Sequence, residues 1–174
     1  MWRVLPLGPV FADVAGLFNP GMFALARTDF AAVGGYATAL TFSENTELGI
    51  RLTQHLERAD PIPTAAAPRP LMTIHVAPDG RSNADSSTAR LRSALYLLDV
   101  HGDRLRRDPA LHATYWSIAG VAAARLGRAS LARHCLAAAA RSDPNPKNLA
   151  RVAAVNLPPL RRRTWPPEAA RAPR

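Results

Sequence analysis

The stretch Gly21–Leu52, GMFALARTDFAAVGGYATALTFSENTELGIRL, carries the pattern that decides the fold class. A short apolar run closes at Arg27, a Gly34-Gly35 pair follows, and acidic residues from Glu44 to Glu47 open an amphipathic segment. Glycine takes the positive φ of a helix stop without steric penalty. The order therefore reads as a strand over 21–26, a short helix from Thr28 to Ala32, a tight glycine turn and a second helix from about Asn45. In that second helix Leu48, Leu52 and Leu56 recur every four residues, with Ile50 off the stripe. Glu44 and Glu47 fall in or beside its first turn, where carboxylates complement the helix dipole. Asp60-Pro61-Ile62-Pro63 ends it.

Working outward, Val10–Phe18 is a further short apolar run, set off by the Asn19-Pro20-Gly21 breaker. On the other side, Leu71–Val76 is short, apolar and β-permissive, and Pro78-Asp79-Gly80 marks a turn. Ser87 or Thr88 then caps a helix striped by Leu91, Leu95 and Leu98. Beyond Asp108-Pro109, Leu111–Leu126 and Ala129–Ala140 form two helices joined at Gly127. After Asp143-Pro144-Asn145-Pro146 comes a short helix from about Lys147 to Leu157. Past Pro158 the chain is rich in arginine and proline, a composition expected to be disordered.

Composition narrows the class. At 174 residues the chain accommodates one ordinary domain or two small ones. Apolar residues make up 48%, much of it alanine, and aromatics only 6%, so the core depends on close contact between small side chains. The lone Cys135 rules out an internal disulfide, fits a reducing compartment and, in an apolar helical pattern, reads as a small buried hydrophobe. No apolar run approaches the ~20 residues that span a bilayer. Pro6 and Pro9 interrupt the start, which does not read as a signal peptide. The net charge of +9 is almost all arginine, with clusters at 104–107 and 161–163. Such clusters suit phosphate-rich ligands, anionic lipid or nucleic acid, but a GC-rich coding sequence produces the same arginine and alanine bias. No aromatics interleave with them as a base-stacking platform requires, which argues against nucleic acid. His55, His101, His112 and His134 show no metal-ligand spacing and read as helix-surface residues.

The 21–52 pattern resembles the acceptor-side half of a family 2 glycosyltransferase of the GT-A fold. That family places an arginine at the end of an apolar run, then Gly-Gly-aromatic, an acidic dipeptide, a further acid and an arginine. Arg27, Tyr36, Glu44, Glu47 and Arg51 occupy those places, over roughly residues 17–56. The resemblance implies that a carboxylate of the motif deprotonates an acceptor hydroxyl, which attacks the anomeric carbon of a nucleotide sugar. A neutral sugar hydroxyl is a poor nucleophile, and a positioned base contributes about 10²–10⁴-fold. In many members the base is the second residue of the acidic pair, which here is Asn45, and an amide cannot accept that proton. Either Glu44 or Glu47 supplies the carboxylate, or the branch uses another arrangement, or the site is inactive; Glu44 is the first candidate. Glu47 and Arg51 are then expected to bind substrate. By the same resemblance His75 approaches the metal or the leaving diphosphate, and Arg81 pairs with phosphate oxygens.

A complete family enzyme also holds a divalent metal, Mn or Mg, on an Asp-x-Asp motif in a nucleotide-binding half. No Asp-x-Asp occurs here. About twenty residues precede the matching segment, while one βαβ unit takes about 30 or more. The expectation is an acceptor half whose partner half lies elsewhere: a truncated gene model, a late start codon, a fragment of a longer enzyme, or a separate chain. Sheet edges left open would make the isolated product marginally stable or prone to aggregate.

The helical region has its own likeness. Trp116, Gly120, Ala132, Leu136, Ala139 and Pro144 fall at the relative positions of a tetratricopeptide repeat of about 34 residues. Small residues at 120 and 132 let two antiparallel helices approach, Trp116 and Leu136 fill the space between them, and Pro144 ends the second.

The expected architecture is a partial, GT-A-like α/β fragment with few short strands over 1–87, a tetratricopeptide-like helical region over 88–157, and a tail over 158–174, mostly helical overall. The expected function is sugar transfer from a nucleotide sugar to a carbohydrate or lipid-linked acceptor in polysaccharide biosynthesis. Its expected place is the cytoplasm, at the inner face of the membrane through peripheral contact. The rival is a non-catalytic helical adaptor that binds a protein partner through the 113–146 hairpin.

Overall fold

A computed structural model describes residues 24–56 and 86–167. The chain divides into two compact units, Met1–Arg81 and Ser82–Arg174.

In the first unit, α1 (Arg27–Ala32) and α2 (Glu44–Leu56) flank the glycine turn. Gly34 N–H donates to the Ala31 carbonyl and Gly35 N–H to that of Phe30, each at 2.9 Å. These two bonds form the Schellman stop, and Gly34 supplies its left-handed residue at φ +79°. In α2 Leu48, Ile50 and Leu52 are buried alongside Asn45, Glu47, Gly49 and Thr53. The burial runs around most of the helix rather than along one stripe, so Ile50, off the leucine stripe, is covered as well.

The expected α/β class is corrected by this structure. Helix takes up 76% of the described residues, and no strand occurs among them. Ala26 has extended backbone, φ −65° and ψ 140°, but a strand exists only as part of a hydrogen-bonded ladder. Residues 24–26 join none. The apolar run at 10–18 and the β-permissive run at 71–76 lie outside the described residues.

The second unit contains α3 (Ser87–Val100), α4 (Gly102–Arg106), α5 (Pro109–Arg125), α6 (Ala129–Ser142), α7 (Pro146–Asn156) and α8 (Pro158–Thr164). Packing follows chain order: α3 lies on α5, α5 on α6, α6 on α7, and α7 on α8. Three starts are capped by side chains that accept an orphan N–H: Ser86 from Ala89, Asp108 from Leu111, and Asn145 from Asn148. The cap of α3 is Ser86, one or two residues before the expected one. Pro109 and Pro146 then stand in the first turns, where no N–H is missed.

The core of this unit is alanine and leucine. Leu97, Leu105, Leu136, Ala119, Ala123 and Cys135 are all within 1% of complete burial, and each such leucine contributes roughly 2 kcal/mol by leaving water. Burial also raises the Cys135 thiol to about 11, so it remains protonated at neutral pH. In α3 the buried face is Leu91, Ala94 and Leu97, with Leu95 and Leu98 half-covered, because contact with α5 selects the side on which Ala94 permits close approach. Trp116 is half-buried, its ring edge-on to His112 of its own helix and to His134 of α6 at 6.1 and 5.8 Å, while the fully buried place between the two helices is taken by Leu136. His101, read as a surface residue, is buried. The stretch from Pro158, expected to lack structure, forms α8, closed by the buried Trp165.

Candidate functional site

The candidate site is built on the turn between α1 and α2. The Schellman stop reverses the chain, and Tyr36 follows it with its ring edge-on to Phe30 at 5.7 Å. An added Cβ at Gly35 would meet the Phe30 ring at 3.3 Å, so the ring pair sits against a position without a side chain. Thus seated, the Tyr36 hydroxyl donates to Asn45 Oδ1 at 3.0 Å. Asn45 is buried, and its amide nitrogen faces Glu44 Oε1 at 3.4 Å. Ser43, immediately before α2, has φ +61°, a left-handed conformation costing a serine about 1 kcal/mol or more.

One turn further along, Glu47 is 1% exposed and accepts from Arg51 twice. Arg51 Nε lies 2.8 Å from Oε1, and Nη2 lies 2.5 Å from Oε2. This i,i+4 pairing, acid before base, is the favourable orientation on a helix. The remaining guanidinium nitrogen, Nη1, donates to the Val33 carbonyl. Arg51 therefore ties α2 to the last turn of α1. A second tie joins the same elements, His55 Nε2 to Asp29 Oδ1 at 3.1 Å.

The structure thus separates residues that sequence treated alike. Glu44 is partly exposed and free of any cation's grip among the hydrogen bonds described for it. Glu47 and Arg51, expected to bind substrate, spend these contacts on each other and on the turn. Glu44, Asn45, Glu47 and Arg51 are brought together on α2, whereas His75 and Arg81 lie outside the described residues. A shallow depression of about 210 Å³ lies beside the second tie, lined by Ala32, Val33, Arg51, Gln54 and His55. It is smaller than a typical ligand pocket of about 300 Å³ or more, and neither Glu44 nor Asn45 lines it.

The Asp29–His55 pair was not anticipated. Twenty-six residues separate its members, and no local spacing rule links such positions; only Asp29's place in the first turn of α1 was visible in the sequence. No cluster of three or more His, Cys, Asp or Glu side chains able to hold a metal ion occurs among the described residues. Of the nearby acids, Glu47 is already engaged by Arg51.

Comparison with protein-family models, with curated proteins and with solved structures gave no match to this chain.

Proposed function

We propose that the α1–α2 segment serves the acceptor side of a sugar-transfer reaction, with Glu44 as the general base. The observation that carries this is the division between the two acids: Glu47 is buried against Arg51, while Glu44 stands partly open to solvent at the start of α2. A base must reach a substrate hydroxyl, and the more open carboxylate supports Glu44 in that part over Glu47. Asn45, held by Tyr36, orients that end of the helix and offers its amide to Glu44. The positive φ of Ser43 adds support, since strained backbone concentrates where geometry serves function. In this reading the donor is a nucleotide sugar, its diphosphate held by residues beyond those described, and the acceptor is a carbohydrate or lipid-linked hydroxyl. The GT-A-like α/β architecture forms no part of the proposal.

The test is sugar transfer from labelled nucleotide sugars by this chain and by the longest product of its reading frame. Glu44→Gln is expected to lower the rate by about 10²–10⁴-fold and Asn45→Asp to leave Glu44-dependent turnover in place. Full activity in Glu44→Gln would remove Glu44 as the base. No transfer from any nucleotide sugar by either product would sink the reading.

A second reading, the helical adaptor, is favoured by the half-buried Trp116 on the α5–α6 hairpin, the kind of side chain that anchors protein interfaces. The same measurement separates the two, because Glu44-dependent turnover excludes a chain that only binds.

A further inference from the structure

From Pro144 to Pro167 the sequence carries Lys147, Arg151, Arg161, Arg162 and Arg163 and neither aspartate nor glutamate. The same segment presents Leu149 at 53% exposure, Leu157 at 54% and Leu160 at 41%. On α7 the spacing of Leu149, Ala153 and Asn156 places them on one side, Leu157 follows directly, and all four are exposed. Asn148, Ala154 and Val155 are buried, and α7 packs on α6. The helix is therefore seated by one face and presents Leu149 and Ala153 on another, with the polar Asn156 at its end and Leu157 just beyond. Arg162 and Arg163, in the adjoining α8, are exposed.

We propose that this α7–α8 edge docks on the surface of an anionic lipid bilayer. The leucines would enter the boundary between headgroups and acyl chains, and the basic side chains would pair with headgroup phosphates. Charge complementarity selects an anionic partner, because no acid in the segment offsets its five cations. The exposed leucines select one with an apolar layer beneath the charge. Nucleic acid fits less well: a single strand is held by rings that stack on bases, and the segment's only aromatic residue, Trp165, is buried, while a duplex, gripped through its phosphates, leaves the exposed leucines without an apolar layer to enter. Apolar contact and basic charge together supply the two signals that stable peripheral attachment takes. The proposal stands on the second unit alone and does not depend on the sugar-transfer reading.

Co-sedimentation of the full chain with vesicles tests it, comparing pure phosphatidylcholine with mixtures containing phosphatidylglycerol, at low and high salt. Binding is expected only to the anionic vesicles and is expected to weaken with salt. Removing two charges in Arg162→Gln/Arg163→Gln is expected to weaken binding by about 25-fold, from roughly fivefold per basic residue at a charged surface. Leu157→Ser/Leu160→Ser is expected to weaken it at both salt concentrations. All of these positions are exposed, so unchanged circular dichroism is expected of each variant, with Leu149→Ser as a second apolar probe. Failure to bind anionic vesicles, or equal binding to both compositions, would overturn the proposal. So would undiminished binding by the leucine variants together with equally tight capture by duplex DNA, which would identify a general polyanion surface.

Discussion

The protonation state of His112 is set by what surrounds it. An indole N–H only donates, so Trp116 Nε1 at 3.1 Å from His112 Nε2 requires a lone pair on that nitrogen. The proton of the neutral ring then sits on Nδ1 and is donated to Ser142 Oγ at 2.9 Å. Ser142 in turn donates to the Ala138 carbonyl at 3.1 Å. Placed this way, His112 cannot act as a base toward Ser142, and the pair is structural. Burial, and then the Arg106 guanidinium, lower the His112 pKa from its ordinary 6.5. The folded state therefore takes up this proton less readily than the unfolded chain. The contribution to stability is full above pH 6.5 and is lost as pH falls through the lower folded value. Thermal melts at about pH 7.5 and about pH 5 are expected to show a larger acid-induced drop for the parent than for His112→Gln. Equal drops would remove His112 from that role. At the candidate site, the i,i+4 spacing of Glu47 and Arg51 was legible in the sequence, but the Val33 carbonyl that Arg51 also reaches lies eighteen residues away. That contact and the burial of Glu47 come from the fold, not from the spacing.

Among the elements, α5 and α6 depend most on one small residue. A Cβ added at Gly120 would lie 2.6 Å from Leu136 Cγ, 2.8 Å from its Cδ2 and 3.2 Å from its backbone nitrogen. Leu136 is fully buried and has little room to yield. Gly120→Ala gains about 1 kcal/mol of helix propensity, yet overpacking costs about 1–3 kcal/mol, and with backbone so close the clash is expected to win. Chemical denaturation should show Gly120→Ala to be destabilising, and Gly120→Ala/Leu136→Ala should be less so than the two single changes added together. A stabilised Gly120→Ala would mean the helices are further apart than described. The ends of this hairpin are pinned by polar contacts as well. Ser117 Oγ donates to Asn148 Oδ1 at 3.3 Å, and Asn148 Nδ2 to the Asp143 carbonyl at 2.8 Å, joining α5 and α7 to the turn after α6. Caps, prolines and glycine stops were visible in the sequence because each acts within a few residues of itself. A close approach at Gly120 was suggested by spacing alone, with Ala132 as the small residue opposite; that Leu136 meets it was not.

At the scale of the whole molecule, the chain's two compact units have different claims to independence. The second has its own buried set from Leu91 to Val155, and its helices pack in sequence. Residues 82–174 expressed alone are expected to retain helical circular dichroism and a cooperative thermal melt; a non-cooperative, featureless melt would show that this core needs the first unit. The expectation of marginal stability rested on open sheet edges, and no strand occurs among the described residues, so that ground is lost here. No described helix is long and apolar enough to cross a membrane.

By itself the sequence determined the local grammar: helix starts at Asp108 and Asn145, the glycine stop after α1, the acids at the start of α2 and the single-sign charge of 144–167. Each follows from backbone preferences or charge carried by neighbouring residues, which need no distant partner to be expressed. Tertiary structure alone decided that residues 24–26 remain outside any sheet, that Glu47 is buried while Glu44 is open, and that Leu97 rather than Leu98 faces the core. Those outcomes depend on what packs against each side chain, and packing partners remote in the chain leave no spacing rule to read.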